Sequence, residues 1–162
     1  MKKVTFLLAT LLVGGLMFTG CKKDNPTPTP TPTPTPSAYT VTYKVLNTMD
    51  GKTMSPCFKL EVTYVDANGQ SVTENNVTLP WTKSIEVKAP FHAKMEGSFS
   101  YNEQELPESV IYGRIKGIIV EYSGGFSGEV IGNLTTYRKE NFLSLIAEHP
   151  ERLKFTEEKD IQ

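Results

Sequence analysis

The chain has 162 residues, with 17 basic against 18 acidic side chains, a formal net charge of −1 and 38% hydrophobic residues. No block of one sign occurs, so the clustered Lys and Arg face that nucleic acid requires is excluded. Two cysteines are too few for a disulfide framework.

The first predicted element is residues 1–20. Lys2 and Lys3 precede an apolar run from Val4 to Phe18, and small residues lead to Cys21. A charged start, an apolar core and a small-residue cleavage point form a secretory signal. The run is about 15 residues where a span needs roughly 20, and Gly14 and Gly15 interrupt it, which argues against an uncleaved anchor helix. Phe18-Thr19-Gly20-Cys21 resembles the bacterial lipobox, with Phe where Leu is usual. The resemblance implies that the Cys21 thiol is acylated and becomes the mature N-terminus, a stable anchor once more than one chain is attached. Lys22-Lys23-Asp24-Asn25 resembles the start of mature lipoproteins in Bacteroidetes-type bacteria. That implies a cell-envelope protein, lipid-anchored in the outer membrane and open to surface exposure. Losing Lys2 and Lys3 leaves 15 basic against 18 acidic residues, a mature charge of −3.

Residues 21–37 carry the lipidated end and a Thr-Pro stalk. From Pro26 to Pro36 every second residue is proline, which fixes φ, restricts each neighbour and removes backbone donors. Polyproline II geometry follows, at about 3.1 Å per residue and on the order of 34 Å in all. The segment reads as a spacer. Roughly 125 residues remain beyond it, the size of one domain with one core.

From Tyr39 the apolar period is two: Tyr39, Val41, Tyr43 and Val45 alternate with Thr40, Thr42 and Lys44. Turn formers from Asn47 to Pro56 end that strand. Phe58, Leu60, Val62 and Tyr64 make the next one. Asp66-Ala67-Asn68-Gly69 predicts a turn, so Gln70–Val77 returns antiparallel. A short strand near Ser84–Lys88 ends at Pro90. Phe91, Ala93, Met95, Gly97, Phe99 and Tyr101 then keep the period, and Gly97 on the apolar face suggests a bulge or bend. Val110–Tyr122, dense in Ile, Val and Tyr, suits the centre of a sheet. Ser123-Gly124-Gly125-Phe126-Ser127-Gly128 lacks the Lys and hydroxyl of a phosphate loop and reads as a hairpin connection. These elements predict a mainly β fold, an immunoglobulin-like antiparallel β-sandwich spanning 38–132.

The remaining segment, 133–162, reads as a C-terminal helical tail packed on the sandwich. Phe142, Leu145 and Ile146 share a helical face within Arg138–His149, Pro150 stops the helix, and Leu153 and Phe155 return to the core. It covers an open edge or end of the sandwich.

Val62-Thr63-Tyr64-Val65-Asp66-Ala67-Asn68-Gly69, followed by Asn76-Val77-Thr78-Leu79-Pro80-Trp81-Thr82-Lys83, is similar to the soluble domain of the MmpS family. Its members show a Thr-Tyr-x-Asp-x-x-Gly turn and then a Leu-Pro-Trp element. The likeness covers about Tyr39 to Gly125. It implies the same sandwich and an accessory place beside envelope transporters. Members of that family are usually held by a transmembrane helix and lack the helical tail, so the fold carries over and the transport role does not.

The sequence offers little for chemistry. His92 and His149 fall in different elements, without the spacing of a metal site or a Ser-His-Asp set. Glu103, Glu105 and Glu108 cluster around Pro107 as solvated loop acids. Cys57, the only thiol left once Cys21 is acylated, reads as a small core residue. No catalytic residue, metal or cofactor is assigned, and no nucleic-acid partner. The expected partners are the bilayer, through acylated Cys21, and an envelope protein. Trp81, following Pro80, reads first as a core or rim aromatic; with Tyr64 and Tyr101 it is also a candidate binding residue. A surface glycan-binding module is the alternative, and it requires at least two of Tyr43, Tyr64, Trp81, Tyr101, Tyr112 and Tyr122 to share one exposed patch.

Overall fold

Residues 38–162 are described by a computed structural model. The expected signal segment, Cys21 and the Thr-Pro stalk lie outside the described residues. Eleven strands and one α-helix follow in chain order: β1 Ala38–Leu46, β2 Thr48–Met49, β3 Lys52–Thr53, β4 Phe58–Val65, β5 Ser71–Val77, β6 Trp81–Lys88, β7 Phe91–Tyr101, β8 Ser109–Tyr122, β9 Gly125–Ser127, β10 Val130–Arg138, α1 Lys139–Glu148 and β11 Lys154–Ile161. Among the described residues no helix is long and apolar enough to cross a membrane.

The period-two segments pair into two antiparallel sheets, in the orders β10-β8-β1-β6 and β11-β7-β4-β5, with β9 added to β8 and β2-β3 a separate hairpin. This is the expected antiparallel β-sandwich with one helix in its C-terminal part. Tyr43 and Val45 from one sheet and Leu60, Val62 and Met95 from the other are sealed from solvent. Rings interleave across the layers: Tyr43 meets Tyr64 at 5.5 Å and Phe58 meets Tyr112 at 4.7 Å between centroids. Burying such side chains contributes roughly 1.5–3 kcal/mol each. The core is therefore what fixes the register, because a slip of one residue would turn every one of them outward.

Two sequence expectations need correction. Gly97 marks no bulge, since β7 pairs without a break to both neighbours around it. Its role is space. Phe155 lies opposite it on β11, and a Cβ on Gly97 would stand 2.2 Å from the Phe155 ring. The irregularity sits instead on edge strand β5, between the Leu60–Val77 and Val62–Glu74 pairs, where Asn76 takes φ 53°. A bulge there bends and twists an edge. Gly97→Ala is expected to cost about 1–3 kcal/mol through overpacking, seen as a lower urea midpoint at constant m. An unchanged midpoint would mean that the Phe155 ring is free to yield.

The second correction concerns 133–162, which is helical over Lys139–Glu148 and in a short turn at Pro150–Leu153 but otherwise extended. Residues 133–138 complete β10, and β11 adds the edge strand of the second sheet. Between them α1 closes one end of the sandwich. Phe142 and Ile146, four residues apart and so on one face, are the two buried side chains of the helix.

Candidate functional site

A sandwich has two open sides where edge strands face each other, and in this chain each is closed by a carboxylate turned inward. On the first side Glu74, on β5, receives the Trp81 indole N–H at 2.9 Å and the Lys83 ammonium at 3.4 Å, both from β6 of the opposite sheet. The Tyr64 hydroxyl donates to it at 3.3 Å. The Trp81 hydrogen bond leads in holding the Glu74 carboxyl below its ordinary range, with Lys83 and Tyr64 assisting. The Tyr64 and Trp81 rings meet at 5.7 Å, inclined at 50°, with Lys83 5.4 Å from the Tyr64 ring. On the second side Glu157, on edge strand β11, pairs with Lys116 on β8, the strand next in from edge strand β10. Inward charges of this kind are how sandwiches keep their edges from pairing with other chains.

The three candidate binding residues therefore divide. Tyr64 and Trp81 come together, but both are buried and belong to the first clasp. Tyr101 is remote from them and packs on Phe58 and Phe142. The likeness carried by Thr63–Gly69 and Leu79–Trp81 thus falls on residues that build the fold. Asp66 caps its own turn by accepting from the Asn68 and Gln70 amides, each at 2.9 Å, and the Gln70 contact is foremost in lowering its carboxyl. Trp81 supplies the clasp.

Other titratable groups are similarly committed. Tyr43 donates to the Val65 carbonyl and Tyr112 to the Arg152 carbonyl, both at 2.7 Å, and burial raises both phenols far above their usual range. Burial also pushes the Cys57 thiol up, away from the thiolate that reactivity needs. His92 lies on the surface beside Asp160 at 2.7 Å, and His149 pairs with Glu151. Among the described residues no three metal-type ligands converge.

What the sequence did not disclose is an aromatic surface at the end of the domain that carries Ala38. Residues 40 and 121 pair between β1 and β8, which sets Tyr39 beside Tyr122, their rings 6.2 Å apart and inclined at 55°. Tyr122 is 44% exposed; Phe126, 71% exposed on the β8–β9 hairpin, lies opposite Glu121 and so on the other face of that sheet. Of the six aromatics weighed as a stacking surface, Tyr122 alone lies open. Its partners come from outside that set. Phe126 in a Gly-Gly-Phe turn was a readable signal; the Tyr39–Tyr122 pairing, between strands 83 positions apart in their facing residues, was not. Beside the two tyrosines a cleft of about 260 Å³ opens, lined also by Val120, Ser127, Lys159, Asp160, Ile161 and Gln162.

No family model and no curated protein matches this chain.

Proposed function

We propose that this chain is a non-enzymatic binding module of the cell envelope, anchored to the bilayer by acylated Cys21 and spaced from it by the Thr-Pro stalk. The observation that carries the binding role is the Tyr39–Tyr122 pair, with Tyr122 44% exposed, at the cleft beside it. Phe126 is exposed on the other face of the same sheet, the remaining large aromatics are spent on the core and the clasp, and aromatic side chains at a cleft are a common lining of binding sites. The anchor is supported by the order of charged start, apolar run, lipobox-like residues and proline repeat. In its leading form the partner is an envelope protein; a transporter is one such partner by the MmpS resemblance alone, whose residues here build the fold. A glycan partner is the second form; the exposed patch of two of the six aromatics that it requires does not form, since Tyr122 alone of them lies open, and what is left for it is the cleft at Tyr39 and Tyr122.

The anchor and the partner are tested separately. Growth with a labelled fatty acid is expected to mark the wild-type product and leave Cys21→Ser unlabelled; equal label on both removes the anchor. Crosslinking in intact cells with a photoreactive residue in place of Tyr122 is expected to capture one recurring envelope component. Capture of nothing above a Lys44 control overturns the binding role.

A further inference from the structure

We infer that Asn68 is a self-modification site: its side-chain amide is lost as ammonia through a cyclic imide formed with Gly69, which leaves aspartate or isoaspartate at the tip of the β4–β5 hairpin. Asn68 is the only asparagine of the chain that glycine follows. The residue after the asparagine supplies the attacking nitrogen, and a side chain there would crowd the ring; glycine has none and moves freely in φ. The surroundings leave room as well. Residues 67–70 are exposed, and nothing lies within 4 Å of the place where a Gly69 Cβ would stand.

The reaction balances with water as its one co-reactant. The Gly69 amide nitrogen gives up its proton and bonds to the Asn68 Cγ, the Cγ–Nδ2 bond breaks, and Nδ2 departs with that proton as ammonia. Water then adds to one of the two imide carbonyls. Reopening at Cγ yields aspartate. Reopening at the main-chain carbonyl yields isoaspartate, whose backbone runs through the side chain and gains one methylene.

The fold sets the pace of this step. In the closed turn the Gly69 N–H donates to the Asp66 carbonyl at 2.9 Å, and the Asn68 Nδ2 donates to the Asp66 carboxylate at 3.4 Å. Both groups that must rearrange are thus engaged by one residue. Reaction proceeds from opened turns, which an exposed hairpin tip reaches at low cost. The product does not close as well: a carboxylate at position 68 puts a second negative charge where Asp66 had a donor, and the added methylene of isoaspartate displaces the Asn68 amide that Asp66 accepts from.

A surface changes with it. Asn68 and Gly69 line a cleft of about 580 Å³ whose charged lining residues are one acid, Glu86, and one base, Lys88. Conversion adds a second acid, so an evenly balanced lining becomes negative.

The test incubates the full-length protein at neutral and at mildly alkaline pH and maps it by proteolysis and mass spectrometry. The peptide that holds Asn68 is expected to gain the mass of an amide-to-acid exchange and to accept label from an isoaspartate methyltransferase. Both signals should rise faster at the higher pH, because the Gly69 nitrogen must lose its proton. Asn68→Ser should abolish both. Asp66→Ala should quicken conversion several-fold, and so should unfolding the wild type in urea, a comparison that holds even if Asp66→Ala folds poorly. A rate equal in folded and unfolded wild type overturns the control by the turn. Absence of the mass gain at Asn68 under conditions that convert the unfolded chain, or conversion spread evenly over the other asparagines, overturns the site. So does methyl label without a mass gain, which would assign the event to Asp50, the only aspartate that glycine follows.

Discussion

Phe142→Ala is expected to destabilise the domain by about 3–5 kcal/mol, the range for deleting a fully buried aromatic, and to lower Tm by on the order of 10–20 °C. Phe142 is 0% exposed although it belongs to a helix of ten residues with no side-chain N-cap. Such a helix is marginal alone. It exists because Phe142 enters a ring cluster drawn from four strands: Phe58 at 5.6 Å, Tyr101 at 5.3 Å, Tyr112 at 5.4 Å and Tyr137 at 6.0 Å. Edge-to-face pairs of this kind contribute roughly 0.5–1.5 kcal/mol beyond their area. Against a typical total of about 5–15 kcal/mol, their joint loss leaves little margin. Phe142→Leu should fall between wild type and Phe142→Ala, and Asn141→Ala, on the exposed face, should match wild type. Amide exchange locates the effect: protection across α1 should collapse first. An Ala variant with wild-type Tm would show that the helix is an ornament on the sandwich instead of its end cap.

The helix was legible because Phe142, Leu145 and Ile146 lie at helical spacing and Pro150 follows. The strands on either side were not, and the reason is physical. β11 reads Lys-Phe-Thr-Glu-Glu-Lys-Asp-Ile, where the inward positions run Phe155, Glu157, Lys159, Ile161. Two of those four are charged, so the apolar alternation that betrays a strand is broken in its middle. The clasp to Lys116 that guards the edge is the same feature that hides it. In β10, Gly132 at φ 151° and the polar residues Asn133, Thr135 and Thr136 around a single Leu134 blur the pattern likewise. Strands β1, β4, β7 and β8, whose inward rows are wholly or mostly apolar, were read nearly to their ends. Gly97 was correctly placed on the apolar face but given the wrong cause, since only the pairing of β7 with β11 reveals the Phe155 ring above it.

The same distinction separates the site residues. Tyr64 and Trp81 looked like candidate contacts because aromatics serve cores and ligands alike, and sequence does not say which face a partner strand will cover. Their burial follows from Glu74, which a polar strand brings opposite the other sheet. The pair of half-buried Tyr39 and exposed Tyr122 needed β1 and β8 to be known as neighbours. Local pattern gives the face of a strand, whereas long-range pairing gives the surface.

Trp81→Ala is expected to cost about 3–5 kcal/mol, and the clasp predicts how that loss divides. Trp81→Phe retains most of the ring contact with Tyr64 but removes the donor to Glu74, so it should cost about 1 kcal/mol, the net value of one hydrogen bond. The carboxylate itself adds a dependence on pH. Glu74 is held below its ordinary 4.5 in the folded chain, so the unfolded chain takes up its proton first on acidification. Its contribution is complete well above 4.5 and is lost as pH falls through the lower folded value. Asp66, also lowered, acts with the same sign. Glu74→Gln should therefore flatten part of the acid slope of the unfolding free energy and leave the Asp66 part. Trp81→Phe should flatten it too, because the indole is the foremost cause of the shift. Urea titrations at neutral pH and at successive values below 4.5 measure both effects. If Trp81→Phe and Glu74→Gln kept the wild-type slope, the indole and the carboxylate would not be paired in solution, and Trp81 would return to the set of residues free to meet a ligand.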